Sequence, residues 1–571
     1  MFKKTASIIA LVLLLSITLI SVVKIQPAKS EPRTWIVDDD GPADFHTIRE
    51  AINNASEGDT VFVRNGTYYE NIAINKTVAL AGENLETTII DGGGKGITLS
   101  ISSSNVNVSG FTIQNGRGHG IWIKDSVNSM ITGNNVMGNE WGIRLVNCSI
   151  ANICRNNLTG NWFGITINSS SDNSISDNYI IHNSFDGITL SSSSNITISD
   201  NVMKANWYAV YANSSWNTIL FENNITDNGV GITLAYSSNS SLSKNLISNS
   251  TWSNFRVWGD ALEHFIHSID ASNLVDNKPV FYLLDKHDLS VNPTNHPEVG
   301  FLALVDCDNM TVEGLSPAHN SELLLAFTRN SKILANNVTG IDLYNSMANS
   351  ISENYVATNN NGFGIVLHDS SGNLVNGNNV VDNYFGVFLD HSLENNISGN
   401  MIAYNWHGIE GLYSSHNTVT DNNIESNGQF GICLDYSWDN QFYHNNFMNN
   451  ACQAATYDYH NSTWNNSCEG NYWSDYSGAD SDGDGVGDTP YIIDSNYDTD
   501  HFPLMNPYWI PADVNHDLKV SILDVVKITG SYGTTPSDPD WNPHADIAEP
   551  FGKIDILDVV LCTSHYGEKW K

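Results

Sequence analysis

In the middle of the chain apolar residues come in short alternations, Ile143 with Leu145 and Ile165 with Ile167, in runs three to five residues long bounded by Asn, Ser and Gly. A period of two is the period of a strand. The stretches between these runs carry no helical period. The alternations themselves recur. Compare "ITGNNVMGNEWGIRL", "ICRNNLTGNWFGITI", "ISDNYIIHNSFDGITL" and "ISDNVMKANWYAVYA". A small residue followed by Ile or Val marks each unit: Gly120, Gly142, Gly164, Gly187, Ala209 and Gly231, at steps of 22, 22, 23, 22 and 22. The pattern returns at Gly340, Gly364, Gly386, Gly408 and Gly431.

One such unit cannot bury its apolar side chains alone, whereas stacked units close a continuous core. Parallel strands joined without helices, about 22 residues per turn, predict an all-β parallel β-helix. Asparagines keep phase with it: Asn134, Asn156, Asn178, Asn201 and Asn223, and separately Asn195, Asn217 and Asn239. Asn tolerates the left-handed backbone of a coil corner, and stacked amides hydrogen-bond along an axis, so these read as structural ladders. Near the start, "TIRE" places Glu50 three residues after Thr47, a capping box. Phe45, Ile48, Ala51 and Ile52 follow on one helical face, suited to covering the open end of the stack.

The repeats, with "WIVDDDGPADFHTIREAINNASEGDTVFVRNGTYYENIAINKTVALAGE" before them and "GNYWSDYSGADSDGDGVGDTPYIID" after them, resemble NosD-like right-handed parallel β-helix proteins of the carbohydrate-binding and sugar-hydrolysis type. The resemblance covers roughly residues 33–507 and implies a pectin-lyase-like solenoid. It does not fix an activity, because that fold hosts many.

Charge and targeting narrow the classes. With 62 acidic and 25 basic residues the net charge is −37, which disfavours nucleic acid and favours divalent cations. "MFKK" and the long apolar run after it predict an export signal over residues 1–30, with "AKS" (Ala28 to Ser30) as cleavage point, or an anchor if uncleaved. Export predicts a secreted or cell-surface protein. Glycosylation is one expectation, at Asn65, Asn157, Asn195 and Asn224. Of seven cysteines, Cys148 with Cys154 and Cys452 with Cys468 are close enough in sequence to pair; the alternative is isolated thiols.

The second residue after each marker glycine should point outward, and this row includes Trp122, Arg144, Thr166, Thr189, Tyr211 and Thr233. Aromatics precede the markers at Trp141, Trp162, Phe163, Phe185, Trp207 and Tyr208, and later at Phe363, Phe385, Trp406 and Phe430. Either they form a sugar-stacking strip or they stack into the corners of the core. The phase breaks between about 250 and 300, an insertion that concentrates Trp258, His264, His267, Tyr282, Lys286 and His287, with "NKPVFYLLD" read as a hairpin strand. Candidate glycan contacts are therefore Trp122, Arg144, Tyr211, Trp258 and Tyr282. His119 in "GHG" resembles a motif of pectin-degrading hydrolases, but its phase-mate His407 in "WHG" marks it as a repeat position. No paired-carboxylate motif accompanies it, as a glycosidase requires. No Met- or Cys-rich cluster supports copper.

Two regions carry calcium-loop spacing. In residues 471–510, a C-terminal cap, "DSDGDGVGD" offers Asp480, Asp482, Asp484 and Asp488 at positions one, three, five and nine, Gly485 at the turn and the Val486 carbonyl at seven. In residues 511–571, "LKVSILDVVKITGSYG" and "GKIDILDVVLCTSHYG" align at an offset of 34. This duplication resembles the dockerin module, two calcium loop–helix units that bind a cohesin-like partner. The resemblance implies ligands Asp513, Asn515, Asp517, Lys519 through its carbonyl, Ser521 and Asp524 in the first copy. In the second it implies Asp546, Glu549, Asp555 and Asp558. Ile522, Leu523, Ile556 and Leu557 fall at partner-binding positions, or else in the core of this small unit. The first copy departs from the pattern with Leu518 where the turn glycine belongs.

The sequence thus predicts a β-helix over residues 31–470 that binds polysaccharide or glycan and is attached through a calcium-dependent tail. A carbohydrate-active enzyme (glycosidase, polysaccharide lyase or epimerase) and a structural surface-layer component are the alternatives.

Overall fold

In the computed structural model, residues 31–357, 362–457, 461–493 and 498–508 are described, and in the tail 512–514, 519–535, 545, 547–548 and 553–567. The export signal, Asn515, Asp517, Asp546 and Glu549 lie outside them. The chain is a β-solenoid of about 20 turns, its strands paired in parallel with the coils before and after. Register is strict: Ile121, Ile143, Ile165 and Ile188 stack in one column. The marker glycines are small for a reason. A Cβ on Gly164 would meet the Gly187 carbonyl oxygen at 2.5 Å, so any side chain there would push two coils apart.

The asparagines divide into two kinds. Asn134, Asn156, Asn178, Asn201, Asn223 and Asn245 are buried. Each takes the next one's Oδ1 on both its backbone N–H and its Nδ2, as Asn156 does from Asn178 at 2.9 and 3.1 Å. Asn195, Asn217 and Asn239 instead hold φ values of 53°, 56° and 52° at exposed corners, linked Nδ2 to Oδ1 along the surface. At the N-terminal end helix α1 (Ile48–Asn54) begins at Thr47, whose side chain accepts the Glu50 N–H, and buries Ile48, Ala51 and Ile52 over the first coils.

The phase break at 250–300 is not an insertion beside the helix; it is the joint between two stacks of coils. Strand β1 (Ser253–Trp258) ends one sheet of the first stack. Strands β2 (Leu274–Val275) and β3 (Lys278–Leu284) then form an antiparallel hairpin. Strand β3 pairs in parallel with β4 (Phe301–Val305), and β4 with β5 (Leu323–Ala326). That single antiparallel step reverses strand direction, and the second stack grows from it.

Strands β4 and β5 are buried on both faces. Phe301, Ala303, Val305, Leu324 and Ala326 face the first core, and Leu302, Leu304, Leu323 and Leu325 face the second. A continuous apolar run is the mark of such a two-sided strand, and "FLALV" and "LLLA" have it. At the far end Trp464 stacks on Phe442 at 4.3 Å and Trp473 on Phe447 at 4.4 Å, closing the second core.

Candidate functional site

Beyond the shared wall the same sheet continues as β6 (Ile341–Tyr344), β7 (Phe363–His368), β8 (Phe385–Asp390) and β9 (His407–Leu412). Alternation turns Ile341 and Leu343 inward and leaves Asp342 on the outer face, toward the end of the first stack. There Arg256, from the middle of β1, meets Glu322 and Asp342. Trp258 and Tyr344 line the same narrow pocket, whose free volume is about 10 Å³. Glu322 is placed by its neighbours: Asn254 donates its N–H to the Asn320 carbonyl at 3.0 Å, Asn320 Nδ2 donates to the Ser250 carbonyl at 2.8 Å, and Ser253 Oγ donates to Glu322 Oε2 at 3.1 Å.

The charges in this elbow do not saturate one another. Among the described residues no ion pair within 4.0 Å joins Arg256 to either carboxyl, and neither the Arg256 guanidinium nor the Asp342 carboxyl has a hydrogen-bond partner. Thr233, register partner of Arg256, is buried with its Oγ1 also unpaired. Burial raises the Glu322 pKa to about 7 against the pull of Arg256. Burial also raises that of Asp342, opposed by Arg256 and His368. Next along the face, His368 stacks on Tyr344 at 4.7 Å and its Nδ1 meets Asp390 Oδ2 at 3.0 Å.

A second feature runs along the coil corners. Trp162, Phe185, Trp207 and Trp252 are 53, 46, 47 and 42 % exposed. Backbone bonds link them coil to coil, Phe185 N–H to the Trp162 carbonyl and Trp207 N–H to the Phe185 carbonyl. Trp207 and Trp252 lie tilted against each other, their ring centroids 6.1 Å apart. In the second stack Tyr384 and Trp406 are likewise exposed, and Trp406 overlies Gly428 beside a groove that Asp382 and Tyr404 also line. The inner aromatics form rows along the sheet edge, where Trp141 stacks on Phe163 and Phe363 lies tilted against Phe385.

The residues singled out in the sequence are placed as follows. Trp122 is part-exposed on the outer face, 6.0 Å from Lys124 Nζ. Arg144 lies over Trp141 at 5.3 Å and its Nε donates to Asn168 Oδ1. Tyr211 packs on Tyr208, and Trp258 on Tyr236. Tyr282 is committed to the joint: its ring packs on the first core and its hydroxyl donates to the Phe265 carbonyl at 2.6 Å. His119 lies against Trp141, its pKa pulled down to about 4 by burial and Arg144. His407 is held by Glu410 and Gln429. All seven cysteines are free thiols.

The Asp480, Asp482 and Asp484 carboxylates converge within 4.8 Å. Asp480 accepts the N–H groups of Gly483 and Gly485, Asp488 turns to Ser481, and the Val486 N–H goes to Asp484. In the tail, helices α2 (Ile522–Gly530) and α3 (Ile556–Ser564) begin at Ser521 and Asp555, with Asp524 and Asp558 closing the capping boxes. Asp513, Asp524 and Asp558 are buried and Lys519 is exposed. The two copies are tied reciprocally: the Gly533 N–H donates to the Ile554 carbonyl and the Gly567 N–H to the Val520 carbonyl. Ala512, Val514, Val520, Ile528, Ala545, Ile554 and Cys562 make their core, which leaves Ile522, Leu523, Ile556 and Leu557 exposed.

By its architecture this is a β-helix protein with an outer aromatic row and a charged elbow. The chain belongs to the NosD family, described as periplasmic copper-binding protein, which it matches over residues 49–186, 162–261 and 326–478. No curated protein matches it. Among solved structures it is similar to pectate lyase Pel9A, at 15 % identity over 43 % of this chain and 78 % of that one, TM-score 0.33. It is similar to XylC in complex with xylose, at 9 % identity over 56 % and 84 %, TM-score 0.35. It is also similar to the Yersinia enterocolitica family 28 exopolygalacturonase, at 10 % identity over 60 % and 76 %, TM-score 0.32.

The donor groups do not fit the copper of the family description. Among the described residues the ligand clusters are Asp38 with Asp39 and Asp40, and Asp480 with Asp482 and Asp484. Both are all-oxygen sets that suit hard cations. His267, which has ligand spacing from His264, has one ring nitrogen against the Ser240 N–H and the other against the His264 carbonyl. No described helix is long and apolar enough to cross a membrane.

Proposed function

We propose that the protein is an exported, surface-displayed β-helix that binds neutral glycan and is attached through its duplicated C-terminal module, with calcium in the loops. The exposed row Trp162, Phe185, Trp207 and Trp252 carries this reading. Coils lie about 4.8 Å apart, so the rings offer a line of exposed apolar surface, edge-on between Trp162 and Phe185 and tilted between Trp207 and Trp252, of the kind on which sugar rings pack. A net charge of −37 favours neutral over anionic chains. The apolar pairs Ile522 with Leu523 and Ile556 with Leu557, exposed on a two-copy module, suit a cohesin-like partner. The second reading is a carbohydrate-active enzyme, favoured by the convergence of Glu322 and Asp342 on one pocket.

Electrophoresis through gels containing neutral polysaccharides tests the first reading. Retardation is expected, falling by half or more in a W207A/W252A variant; free migration in every neutral gel overturns it. Calcium chelation is expected to lower the melting temperature of the isolated tail, and an unchanged melt argues against metal there.

A further inference from the structure

We infer that the corner closing the first stack is a binding site for the ammonium group of an organic cation. This site goes beyond the glycan row and does not rest on it. Along the first stack the corners keep step, Asn239 Nδ2 meeting Asn217 Oδ1 22 residues back. At the last coil the step widens: the Ser240 N–H donates to His267 Nδ1, 27 residues on. The extra residues leave the coil as a short 3₁₀ turn, Leu262–Phe265. Gly259 lets this turn double back, since a Cβ there would meet the His264 Cβ at 2.5 Å. The turn borders a groove of about 450 Å³, lined by Trp216, Tyr236, Ser238, Asp260, Glu263 and His264. That volume falls in the range of small-ligand sites, roughly 300–1,000 Å³.

The groove combines two chemistries. Trp216 and Tyr236 supply rings that are 46 and 38 % exposed. The coil needs neither of them. Ser194 and Ser238 flank Trp216 in its column, and Ser169, Ser192 and Ser214 hold the left-handed corner that Tyr236 takes at φ 46°. Trp258 and His264 fix the Tyr236 ring edge-on, at 5.0 and 5.6 Å. Asp260 and Glu263 supply exposed carboxylates. Among the described residues no Lys or Arg lines the groove or pairs with either acid, and Asp260 meets His264 Nδ1 at 3.1 Å. Ring faces attract a cation through their quadrupole, and carboxylates attract it through charge. A net charge of −37 raises the concentration of cations near the surface. A bare metal ion would leave the rings unused, and a neutral sugar would gain nothing from the charge. An organic ammonium uses both. An amino sugar and a methylated ammonium such as choline present that same group.

The full-length protein is titrated at pH 6 with choline and with methyl glucosaminide, and binding is followed by ligand-observed NMR. Both probes are too small to span the glycan row. Saturable binding is expected, about tenfold weaker in W216S and in D260N/E263Q. W216S installs the residue that the flanking coils already carry, and an unchanged thermal melt checks that it keeps the fold. The double variant removes two charges from a chain of net charge −37, so general attraction of cations to the acidic surface survives it while binding in this groove does not. Binding of both probes, lost in both variants, supports recognition of the ammonium itself. Binding of methyl glucosaminide alone supports an amino sugar as its source, and of choline alone a methylated ammonium. Saturable binding by neither probe, or an affinity unchanged in either variant, overturns the site.

Discussion

At the scale of single residues, the solenoid spends its asparagines on two different jobs. In the buried ladder each amide satisfies backbone groups that the corner would leave orphaned. Asn178 receives the Asn156 N–H and donates Nδ2 to the Ile153 carbonyl at 2.9 Å and to Asn201 Oδ1 at 3.0 Å. Asn178→Ala therefore strands several buried groups, and a loss of about 3 kcal/mol in urea unfolding is expected. In the exposed corner column, Ile150 stands at φ 58° where Asn128, Asp172 and Asn195 occupy neighbouring coils. A β-branched residue is strained there, so Ile150→Asn should stabilise by about 1–2 kcal/mol, read as a higher urea midpoint.

At the scale of elements, the ends of the solenoid carry its most specific contacts. Near the C-terminal cap, His444 stacks on Tyr508 at 3.9 Å and meets Glu469 at 2.8 Å and Asp421 at 3.5 Å. Burial opposes its charge, but the two carboxylates outweigh it and raise the pKa. A histidine whose folded pKa is raised adds stability that is complete below its unfolded value, about 6.5, and is lost as pH rises through the folded value. The cap should therefore be more stable at pH 6 than at pH 9 in urea titrations followed by tryptophan fluorescence, and His444→Gln should flatten that slope. Equal midpoints at both pH values would contradict it.

At the scale of the whole molecule, the two stacks share a wall, so neither core closes without the other. Phe301 faces the first core and stands edge-on to Phe255 at 4.9 Å, while its neighbour Leu302 faces the second. Phe301→Ala should cost about 3–5 kcal/mol and lower hydrogen-exchange protection in the coils on both sides of the joint. Protection lost from one stack alone would mean that the stacks are independent. The elbow exists only because of this joint, which turns the outer face of one sheet against the end of another.

The sequence by itself determined the coil: the 22-residue phase, the marker glycines and the asparagine columns are local rules repeated, and each coil meets only copies of itself. Part of the elbow was legible too. Asp342 stands two residues after Gly340, the same offset that turned Trp122 and Arg144 outward. Arg256 has that offset from Asn254, where the marker glycine is missing, and Glu322 has no phase. Only the tertiary structure could bring these three together, because Arg256 and Glu322 lie 66 residues apart across a strand reversal that no repeat encodes. Likewise, an aromatic before a marker glycine reads the same in sequence whether it is covered or exposed. The neighbouring coil decides: a Cβ on Gly428 would meet the Trp406 ring at 3.0 Å, and the glycine there leaves that ring open to solvent.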